Sequence, residues 1–382
     1  MLSDIRDAAL WPGGLEKIGW ARRFMPVMAA LDLDLRGARV GLVLVLEPKT
    51  ANLALTLRDA GADVIVTCPG RDTSDDVAAA LVHAGIPVLA RSDATRAQDD
   101  DLARLMLDQG LDVLVDDGSR VVRLAHAEDR LGPLRGAAEE TTSGLRPLRV
   151  MERAGDLRIP VMAVNDARSK YLFDNVHGTG QSCVMAALDL TGLQLDGATC
   201  VVAGYGNVGQ GVARYAAALG ARIVVSEVDP LAALRAFHDG HDVRPLIDAC
   251  PDADLLFSAT GVAHTITAEH LAALKPGAVV AVAGGVRDEV EPVPDGLKIT
   301  LLADGECVNC AAAEGNPIEI MDLSLSLQAL AVEHLLTHDL PPAVHLLPTE
   351  LDERVARLKL GALGLAVDTP SAAQRAFLDR GL

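Results

Sequence analysis

The chain has 382 residues, enough for two or three domains with a large apolar core. Its 34 Lys and Arg residues against 53 Asp and Glu residues give a formal net charge of -19, which argues against binding to a nucleic-acid backbone or an anionic membrane surface. Half of the residues are hydrophobic but only 3% are aromatic, so the core must consist mainly of Ala, Val and Leu, which suits helices packed on parallel strands.

Short apolar runs alternate with amphipathic stretches from Val40 onward, and this rhythm predicts a first doubly wound α/β unit. The predicted strands are 40–46, 63–67, 88–90 and 111–115, and the predicted helices are 50–60, 74–84 and 101–109. Ser74 is the expected cap of the second of these helices. Residues 128–143 are polar and predicted to be irregular. A helical stretch, a strand at 161–164 and a long helix at about 180–190 are expected next.

A second βα series predicts a second doubly wound, Rossmann-like sheet. Its predicted strands are 199–203, 222–225, 254–257 and 278–282, and it ends near Leu302. A single long helix is predicted for 317–336. We expect hinges where the chain enters and leaves this series, near 175–181 and 309–317.

The subcellular location follows from what the sequence lacks. The longest strongly apolar run, Val40 to Leu46, is far shorter than the roughly 20 residues of a membrane-spanning helix. The N-terminus carries charges such as Asp4 where a secretory signal would be apolar. Six scattered cysteines favour a reducing compartment, and the single C-x-x-C, Cys307 and Cys310, lacks the second ligand pair of a zinc site. We expect a cytoplasmic protein with no metal, membrane or nucleic-acid partner.

A G-x-G-x-x-G motif directly follows the predicted strand 199–203 and opens a helix. Gly204 would make the tight turn, Gly206 would let the backbone approach a pyrophosphate, and Gly209 would let helix and strand pack closely. The helix N-terminus, with its partial positive charge, would face the phosphates. The alternative is a purely structural glycine turn.

Other residues of this series extend the dinucleotide prediction. Asn207 and Val208 complete the motif at the start of the helix. Glu227 closes the second strand, where a carboxylate can accept hydrogen bonds from ribose hydroxyls and would repel a 2′-phosphate, so NAD is favoured over NADP. Thr260 follows a later strand at the edge where ligands collect, although a plain turn explains it equally well.

Three polar clusters upstream are candidates for chemistry. If residues 165–175 are helical, Lys170 and Asp174 at i, i+4 share one face and could meet a common ligand. A surface ion pair is the alternative. The stretch 139–144 has adjacent acids and three hydroxyls, and 116–118 has two acids and a glycine; caps and turns are the alternatives there.

These clusters and the glycine motif, in this order, resemble the S-adenosylhomocysteine hydrolase family, and the likeness covers nearly the whole chain. The matching segments are 36–39, 116–118, 139–144, 165–175, 204–211 and 344–348. The resemblance implies a substrate domain interrupted by an inserted NAD domain, NAD as the cofactor, and a homo-oligomer, either a dimer or a tetramer. It places the substrate domain at 1–175 and 317–348, the NAD domain at 181–314, and a C-terminal segment at 349–382.

The family's reaction implies roles for the matching residues. Oxidation of a ribose 3′-hydroxyl makes the C4′ hydrogen acidic, the 5′ substituent is eliminated, water adds, and the ketone is reduced again. By resemblance, Lys170 and Asp174 handle the 3′-hydroxyl and its proton, Glu140 holds ribose hydroxyls, Asp117 assists at the 5′ side, and Asn165 and Asn175 fix the geometry. A lowered pKa of Lys170 would suit its role. Thr141, Thr142, Asn175, Glu227 and Asn309 match family positions at the cofactor.

The chain departs from the family mainly where the base and the 5′ side are bound. Where the family has a histidine, a threonine and a glutamate that read adenine, this chain has Val45, Glu47 and Lys49. Gly284-Gly285-Val286 replaces the family's Gly-His-Phe, and Asn316 replaces the histidine of its Gly-His-Pro. Thr179 replaces a cysteine that lies near the nicotinamide. The family's Lys- and Tyr-bearing tail has no counterpart before Leu382. Glu47, Lys49 and Asn316 are therefore expected to contact an altered substrate. Arg287 is a further new charge, suited to an anionic group or to the surface.

Residues for ribose oxidation and NAD binding are retained, whereas those for adenine are not. This division predicts an NAD-dependent enzyme that transiently oxidises the 3′-hydroxyl of a nucleoside, enabling elimination or addition at the 4′,5′ position on a substrate other than S-adenosylhomocysteine, as a dehydratase, hydrolase or epimerase. The alternatives are a genuine S-adenosylhomocysteine hydrolase, giving adenosine and homocysteine, and a non-catalytic, NAD-binding regulatory homologue.

Overall fold

The structure, a computed structural model, describes residues 2–286 and 288–380. One parallel sheet contains β1 (Arg39–Val43), β2 (Asp63–Thr67), β3 (Val88–Leu89), β4 (Val113–Asp116), β5 (Gly136–Glu139), β6 (Val161–Ala163) and β13 (Val344–Leu346). The strand order is β13-β6-β5-β4-β1-β2-β3. Because β13 pairs with β6, the chain returns to this sheet near its C-terminal end, after a long intervening stretch.

The other parallel sheet lies entirely within the stretch that separates β6 from β13. Its strands are β7 (Thr199–Ala203), β8 (Arg222–Ser226), β9 (Asp242–Val243), β10 (Leu255–Ser258), β11 (Val279–Val282) and β12 (Thr300–Leu301). The strand order is β12-β11-β10-β7-β8-β9. The predicted fold class is thus confirmed: two doubly wound parallel sheets, with the second inserted into a discontinuous first one.

Helices cover both sheets. They are α1 (Trp11–Arg22), α2 (Pro26–Ala29), α3 (Pro48–Asp59), α4 (Asp75–His83), α5 (Arg96–Leu107), α6 (Arg120–Ala127), α7 (Thr142–Ala154), α8 (Arg168–Lys170), α9 (Gly180–Thr191), α10 (Asn207–Ala218), α11 (Pro230–His238), α12 (Leu246–Ala249), α13 (Ala268–Ala273), α14 (Val308–Ala311), α15 (Ile318–Thr337), α16 (Thr349–Ala362) and α17 (Ala372–Asp379). We call the first sheet with α1–α8, α15 and α16 the first unit, and the second sheet with α9–α14 the second unit.

Each sheet is buried on both faces, which explains its nearly continuous apolar strands. Alternate residues of one strand enter different cores, because successive side chains point to opposite faces. In the first unit, Leu42 and Val113 pack on one side of the sheet, and Val43 and Leu114 pack on the other. Ala, Val and Leu dominate these cores, as the composition predicts.

The strand orders locate two crevices. In each sheet the order reverses between two central strands, β1 and β4 in the first and β7 and β10 in the second. Ligands of such sheets bind outside the carboxyl ends of the strands at this reversal. Glu47 and Asp117 follow the two strands of the first crevice, and Gly204 and Thr260 follow those of the second.

The segment that joins the units carries the predicted reactive residues. We call residues 164–179 the reactive segment. It consists of a 3₁₀ turn (Val164–Asp166), α8 and a π-helix (Tyr171–Thr179) that continues into α9. The backbone of α10 lies close against it, since a Cβ on Gly211 would sit 2.3 Å from the Val176 carbonyl oxygen. π-helical turns are rare and occur mostly at functional sites.

Some local predictions were wrong. Residues 128–143 are not irregular, because they contain β5, which lies between β4 and β6. The predicted helix at 101–109 begins earlier, at Arg96, where Thr95 caps it. Ser74 occupies the N-cap of α4, but its hydroxyl donates to Asp76 instead of capping the helix. No helix in the described part of the chain is both long enough and apolar enough to cross a membrane.

Candidate active site

Lys170 lies at the end of α8 with its side chain 4% exposed. Its Nζ is 2.6 Å from Asp174 Oδ2, and it donates to Asn175 Oδ1 at 3.1 Å and to Asn165 Oδ1 at 3.3 Å. The predicted i, i+4 pair is therefore present, within a π-helical turn. Three acceptors match the three N–H groups of an ammonium, so the structure holds Lys170 in one orientation.

The charge state of Lys170 differs from the expectation. Burial disfavours the ammonium, but the nearby charges of Asp174 and Glu140 outweigh it and raise the pKa of Lys170. This direction is opposite to the lowered pKa that would suit an amine acting as a proton acceptor. In this arrangement Lys170 is a cation that donates hydrogen bonds, and the basic groups beside it are carboxylates.

Glu140 follows β5 and completes this charge cluster, with Oε1 3.7 Å from Lys170 Nζ. Burial raises the pKa of Glu140, and the charge of Lys170 opposes that shift. Two buried side chains of α15 donate to its carboxylate: the Ser324 hydroxyl, at close contact, and Gln328 Nε2, at 2.5 Å. Neither residue was singled out in the sequence, although their spacing of four residues in the predicted helix 317–336 places them on one face.

Asp117 follows β4 at the first crevice, and its backbone N–H donates to the Val43 carbonyl at 3.0 Å. Within residues 2–286 and 288–380, no group forms a hydrogen bond or ion pair with its carboxylate. Burial, together with the charge of Glu140, raises the pKa of Asp117 to about 7, although the charge of Lys170 opposes this. Asp117 therefore exchanges a proton near neutral pH and has lone pairs free for a ligand.

Two buried carboxylates that the sequence analysis did not assign hold the Asp117 turn. Asp116 accepts hydrogen bonds from the backbone N–H groups of Val121 and Val122, both at 2.8 Å. Glu139 accepts from the N–H groups of Gly118, at 2.9 Å, and Ser119, at 2.8 Å. These bonds fix a turn with positive φ at both Gly118 and Ser119, and so determine where Asp117 points.

Glu47, Lys49 and Asn316, the residues expected to contact an altered substrate, form one cluster with the reactive segment. Lys49 Nζ lies 2.6 Å from Glu47 Oε2 and donates to the carbonyls of Glu314 and Asn316, both at 2.9 Å. Lys49 thereby joins the first crevice to the chain that returns from the second unit. Burial raises the pKa of Glu47, and the charge of Lys49 opposes that shift. Arg287 lies outside the described residues.

The side chain of Asn316 links this cluster to Asp174. Its Nδ2 donates to Asp174 Oδ1, at close contact, and to Thr179 Oγ1 at 3.2 Å. Its Oδ1 accepts from Asn309 Nδ2 at 2.8 Å. Asn309 also donates to Ser182 Oγ at 2.9 Å, so the predicted substrate residue and the predicted cofactor residue share one network.

The glycine motif fits a dinucleotide. Gly204 has φ +95°, and a Cβ on Gly209 would lie 2.0 Å from the Gly204 carbonyl oxygen, so only glycine is tolerated there. A Cβ on Gly206 would meet no heavy atom within 4 Å, so there is open space in front of α10. The N–H groups of the first helical turn, at Asn207 and Val208, have no acceptor within their own helix, border that space and suit a phosphate.

Glu227 is fixed beside the motif. Its Oε2 accepts from the Tyr205 N–H at 2.6 Å, and its Oε1 accepts from the N–H groups of Val228, at 2.7 Å, and Asp229, at 3.1 Å. A carboxylate held in this way after the second strand suits ribose hydroxyls. The cradle and this acid together fit NAD.

The remaining predicted cofactor residues come from both units. Thr141 caps α7, and its hydroxyl donates to Glu139 Oε1 at 2.7 Å, while Thr142 is exposed at the first residue of that helix. Thr260 Oγ1 lies 2.6 Å from Thr265 Oγ1 and donates to Glu289, a fully buried acid that the sequence analysis did not single out. The Ser143 hydroxyl, in the first turn of α7, lies 3.4 Å from the position of a Cβ on Gly285, so this turn lies close to the second unit.

The C-x-x-C shows no metal arrangement. Cys307 Sγ donates to Asn309 Oδ1 at 3.0 Å, and Cys310 is exposed. Among residues 2–286 and 288–380, no three His, Cys, Asp or Glu side chains are grouped so that they could hold a metal ion.

Comparisons with known proteins agree with this geometry. Residues 4–132 match the family model of S-adenosyl-L-homocysteine hydrolase, and residues 175–293 match the model of its NAD binding domain. The chain is 41% identical to an adenosylhomocysteinase of Thermotoga maritima, over 96% of this chain and 98% of that protein. It is 40% identical to an S-inosyl-L-homocysteine hydrolase of Methanopyrus kandleri, over 98% of this chain and 96% of that protein. The chain therefore belongs to the S-adenosyl-L-homocysteine hydrolase family, and its cofactor is NAD.

Proposed function

We propose that the protein cleaves the thioether of an S-ribonucleosyl-L-homocysteine with water, releasing a nucleoside and L-homocysteine. The observation that carries this proposal is the buried cluster of Lys170, Asp174 and Glu140, whose charges act on Asp117, a carboxylate with no partner among residues 2–286 and 288–380. A cluster of one cation and several acids suits the handling of ribose hydroxyls and their protons. The names of the two relatives, which specify S-adenosyl and S-inosyl substrates, indicate the same thioether class.

NAD, when bound, accepts a hydride from a ribose carbon and returns it. The residues of the chain then have separate tasks at the ribose. The Lys170 ammonium donates a hydrogen bond to the oxygen of the 3′-hydroxyl in place of its 3.3 Å bond to Asn165. The Asp174 carboxylate, 2.6 Å from that ammonium, takes up the hydroxyl proton. Glu140, oriented by α15, accepts from a neighbouring hydroxyl. This assignment makes the carboxylate the proton acceptor, because the raised pKa of Lys170 keeps the amine protonated.

Asp117 is suited to proton transfer at the 5′ side. A group with a pKa of about 7 can give a proton to a leaving thiolate and take one from water at the same pH. Its carboxylate has no protein partner in the described ranges, so proton transfer requires no internal hydrogen bond to break. This assignment gives the 5′ side an acid and base although the family's histidines are absent there.

The base bound by the enzyme follows from Glu47. An ionised carboxylate accepts a hydrogen bond from the N1–H of a 6-oxopurine, whereas the N1 of adenine is itself an acceptor. Burial raises the pKa of Glu47, and Lys49, 2.6 Å away, opposes that shift and is the counter-ion of the ionised form. We therefore propose the S-inosyl substrate as preferred and the S-adenosyl substrate as the second candidate. A homo-oligomer and a cytoplasmic location stay predictions from the sequence.

The decisive experiment measures free thiol and free nucleoside after purified holoenzyme is incubated separately with S-inosyl- and S-adenosyl-L-homocysteine. We expect thiol release from both, faster with the inosyl compound. Asp174→Asn should abolish release, whereas Asp368→Asn, the same chemical change in the exposed tail, should not alter it. Absence of thiol with both compounds, from protein that retains NAD, would refute the proposal and favour a lyase, an epimerase or a regulatory homologue.

A further inference from the structure

We propose that Arg146 is a positioning residue through which the first unit fixes the cofactor site of the second. Arg146 lies on α7, and its guanidinium reaches across to the loop that follows β10. Its NH1 donates to the Gly261 carbonyl at 2.7 Å, and its NH2 donates to the Thr260 carbonyl at 3.2 Å. A planar fork that holds two consecutive carbonyls fixes both the position and the orientation of a loop.

The loop held by Arg146, residues 259–262, forms part of the NAD cradle. Thr260 packs on the first glycine of the motif, since a Cβ on Gly204 would lie 2.9 Å from Thr260 Cγ2. The hydroxyl of Thr260 is bonded to Thr265 and Glu289, which ties it to the rest of the second unit. A displacement of the two carbonyls would therefore move the side chain that packs against the Gly204 turn.

The same helix presents predicted cofactor residues to the second unit. Thr142 and Arg146 are four residues apart on α7, so they lie on one face of the helix. The Ser143 hydroxyl, in the same turn, lies 3.4 Å from the position that a Cβ on Gly285 would take. By holding the loop after β10, Arg146 also holds the start of α7 against the cradle. The NAD site is then incomplete without this contact from the first unit.

A second arginine that crosses between the units gives a matched control. Arg71 NH1 lies 3.1 Å from both carboxylate oxygens of Glu306. Arg71, like Arg146, is an exposed arginine of the first unit that contacts the second. Its acceptor is a side chain outside the loop 259–262. If crossing contacts acted only by holding the units together, loss of either arginine would have the same effect.

The test follows exchange of the NAD bound to purified holoenzyme for isotopically labelled NAD, with no substrate present. For Arg146→Ala we expect exchange about 5- to 20-fold faster than for the wild type, because two charge-assisted hydrogen bonds at an exposed site are lost. Arg146→Lys, which can keep one of the two bonds, should be intermediate. Arg71→Ala should exchange within about twofold of the wild type, because its acceptor lies outside the loop 259–262 and a typical exposed ion pair contributes only a few tenths of a kcal/mol.

Thermal unfolding of the same proteins separates positioning from general destabilisation. Because Arg146 is exposed, the unfolding midpoint of Arg146→Ala without NAD should match that of the wild type. Wild-type exchange in Arg146→Ala would overturn the proposal, as would equal acceleration in Arg71→Ala. If Arg146→Ala fails to fold, the exchange rate of Arg146→Lys decides in the same way. None of these measurements depends on which nucleoside the enzyme accepts.

Discussion

Replacing Lys170 by methionine tests whether the charge cluster is built around this cation. Methionine keeps an unbranched side chain of similar length, so the substitution removes the charge with little change in packing. The side chains of Lys170, Asp174 and Glu140 are all less than one-tenth exposed. The variant therefore leaves two buried carboxylates without their counter-ion.

The magnitude follows from that burial. Removing one partner of a buried ion pair costs about 3–5 kcal/mol of unfolding free energy, because the remaining charge stays desolvated. We expect a loss of this size for Lys170→Met at pH 8. Lys298→Met, the same change at an exposed lysine, should alter the unfolding free energy by less than about 0.5 kcal/mol. The double variant Lys170→Met/Asp174→Leu should recover part of the loss, because it removes the acid in closest contact with Lys170.

The destabilisation caused by Lys170→Met should depend on pH. The pKa of Glu140 and that of Asp117 are already raised in the folded protein, and losing the Lys170 charge raises both further. An acid whose pKa is higher in the folded than in the unfolded state weakens the fold progressively as the pH rises from its unfolded toward its folded pKa. The deficit of Lys170→Met should therefore be smaller at pH 5 than at pH 8. In the wild type, the charge interactions that raise the pKa of Lys170 stabilise the folded protein fully at pH 5 and at pH 8, since both pH values lie below the pKa of a lysine in the unfolded state.

Urea unfolding of the wild type, both lysine variants and the double variant at pH 5 and pH 8 measures these differences. A Lys170→Met protein as stable as the wild type at pH 8 would show that the acids do not need this cation. An equal deficit at both pH values would show that its loss acts through packing and not through the titration of neighbouring carboxyl groups.

Further predictions concern three other positions. Because the pKa of Asp117 is raised to about 7, the wild type should lose stability as the pH rises from about 4 to 7, by at most about 1.4 kcal/mol per pH unit, and Asp117→Asn should not show this loss. Thermal midpoints of the two proteins that change in parallel across this range would contradict the prediction. Asp352→Ala removes the acceptor of three hydrogen bonds from the reactive segment and should cost about 1–3 kcal/mol in urea unfolding and lower kcat, unlike Glu353→Ala at an exposed ion pair on the same helix. Gly209→Ala would place a Cβ 2.0 Å from the Gly204 carbonyl, so the purified protein should not retain NAD on gel filtration; full retention would show that the turn can relax.

How far the fold was predictable depended on local composition. Strands rich in β-branched residues, such as β2 and β8, were predicted within a residue of their ends. The strand β5 was missed because its sequence, Gly-Ala-Ala-Glu, has no β-branched or aromatic residue. It is a strand only because β4 and β6 pair with it on both sides. Tertiary context decided that element, and a single sequence does not display it.

The candidate site shows the same limit at the level of side chains. The spacing of Lys170 and Asp174 predicted their pairing, which the structure shows in a π-helical turn. Spacing alone does not reveal that Glu140, which follows β5, lies 3.7 Å from Lys170 Nζ and, together with Asp174, raises the pKa of Lys170 instead of lowering it. Ser324 and Gln328, which hold Glu140, come from the chain beyond the second sheet. Contacts between segments so far apart in sequence have no local pattern.

Each of the two sheets contributes a different part of the candidate site. Each reverses its strand order between two central strands, and each therefore opens one crevice at the carboxyl ends of those strands. The first crevice carries acids that suit a ribose and a base, and the second carries the glycine turn that suits a dinucleotide. The reactive segment leaves the first sheet at β6 and packs against α10, the helix of the glycine motif. The proposed action of Lys170 on a nucleoside requires the two crevices to face each other. We therefore expect contacts that cross between the units, such as that of Arg146, to matter for this action as much as the acids do.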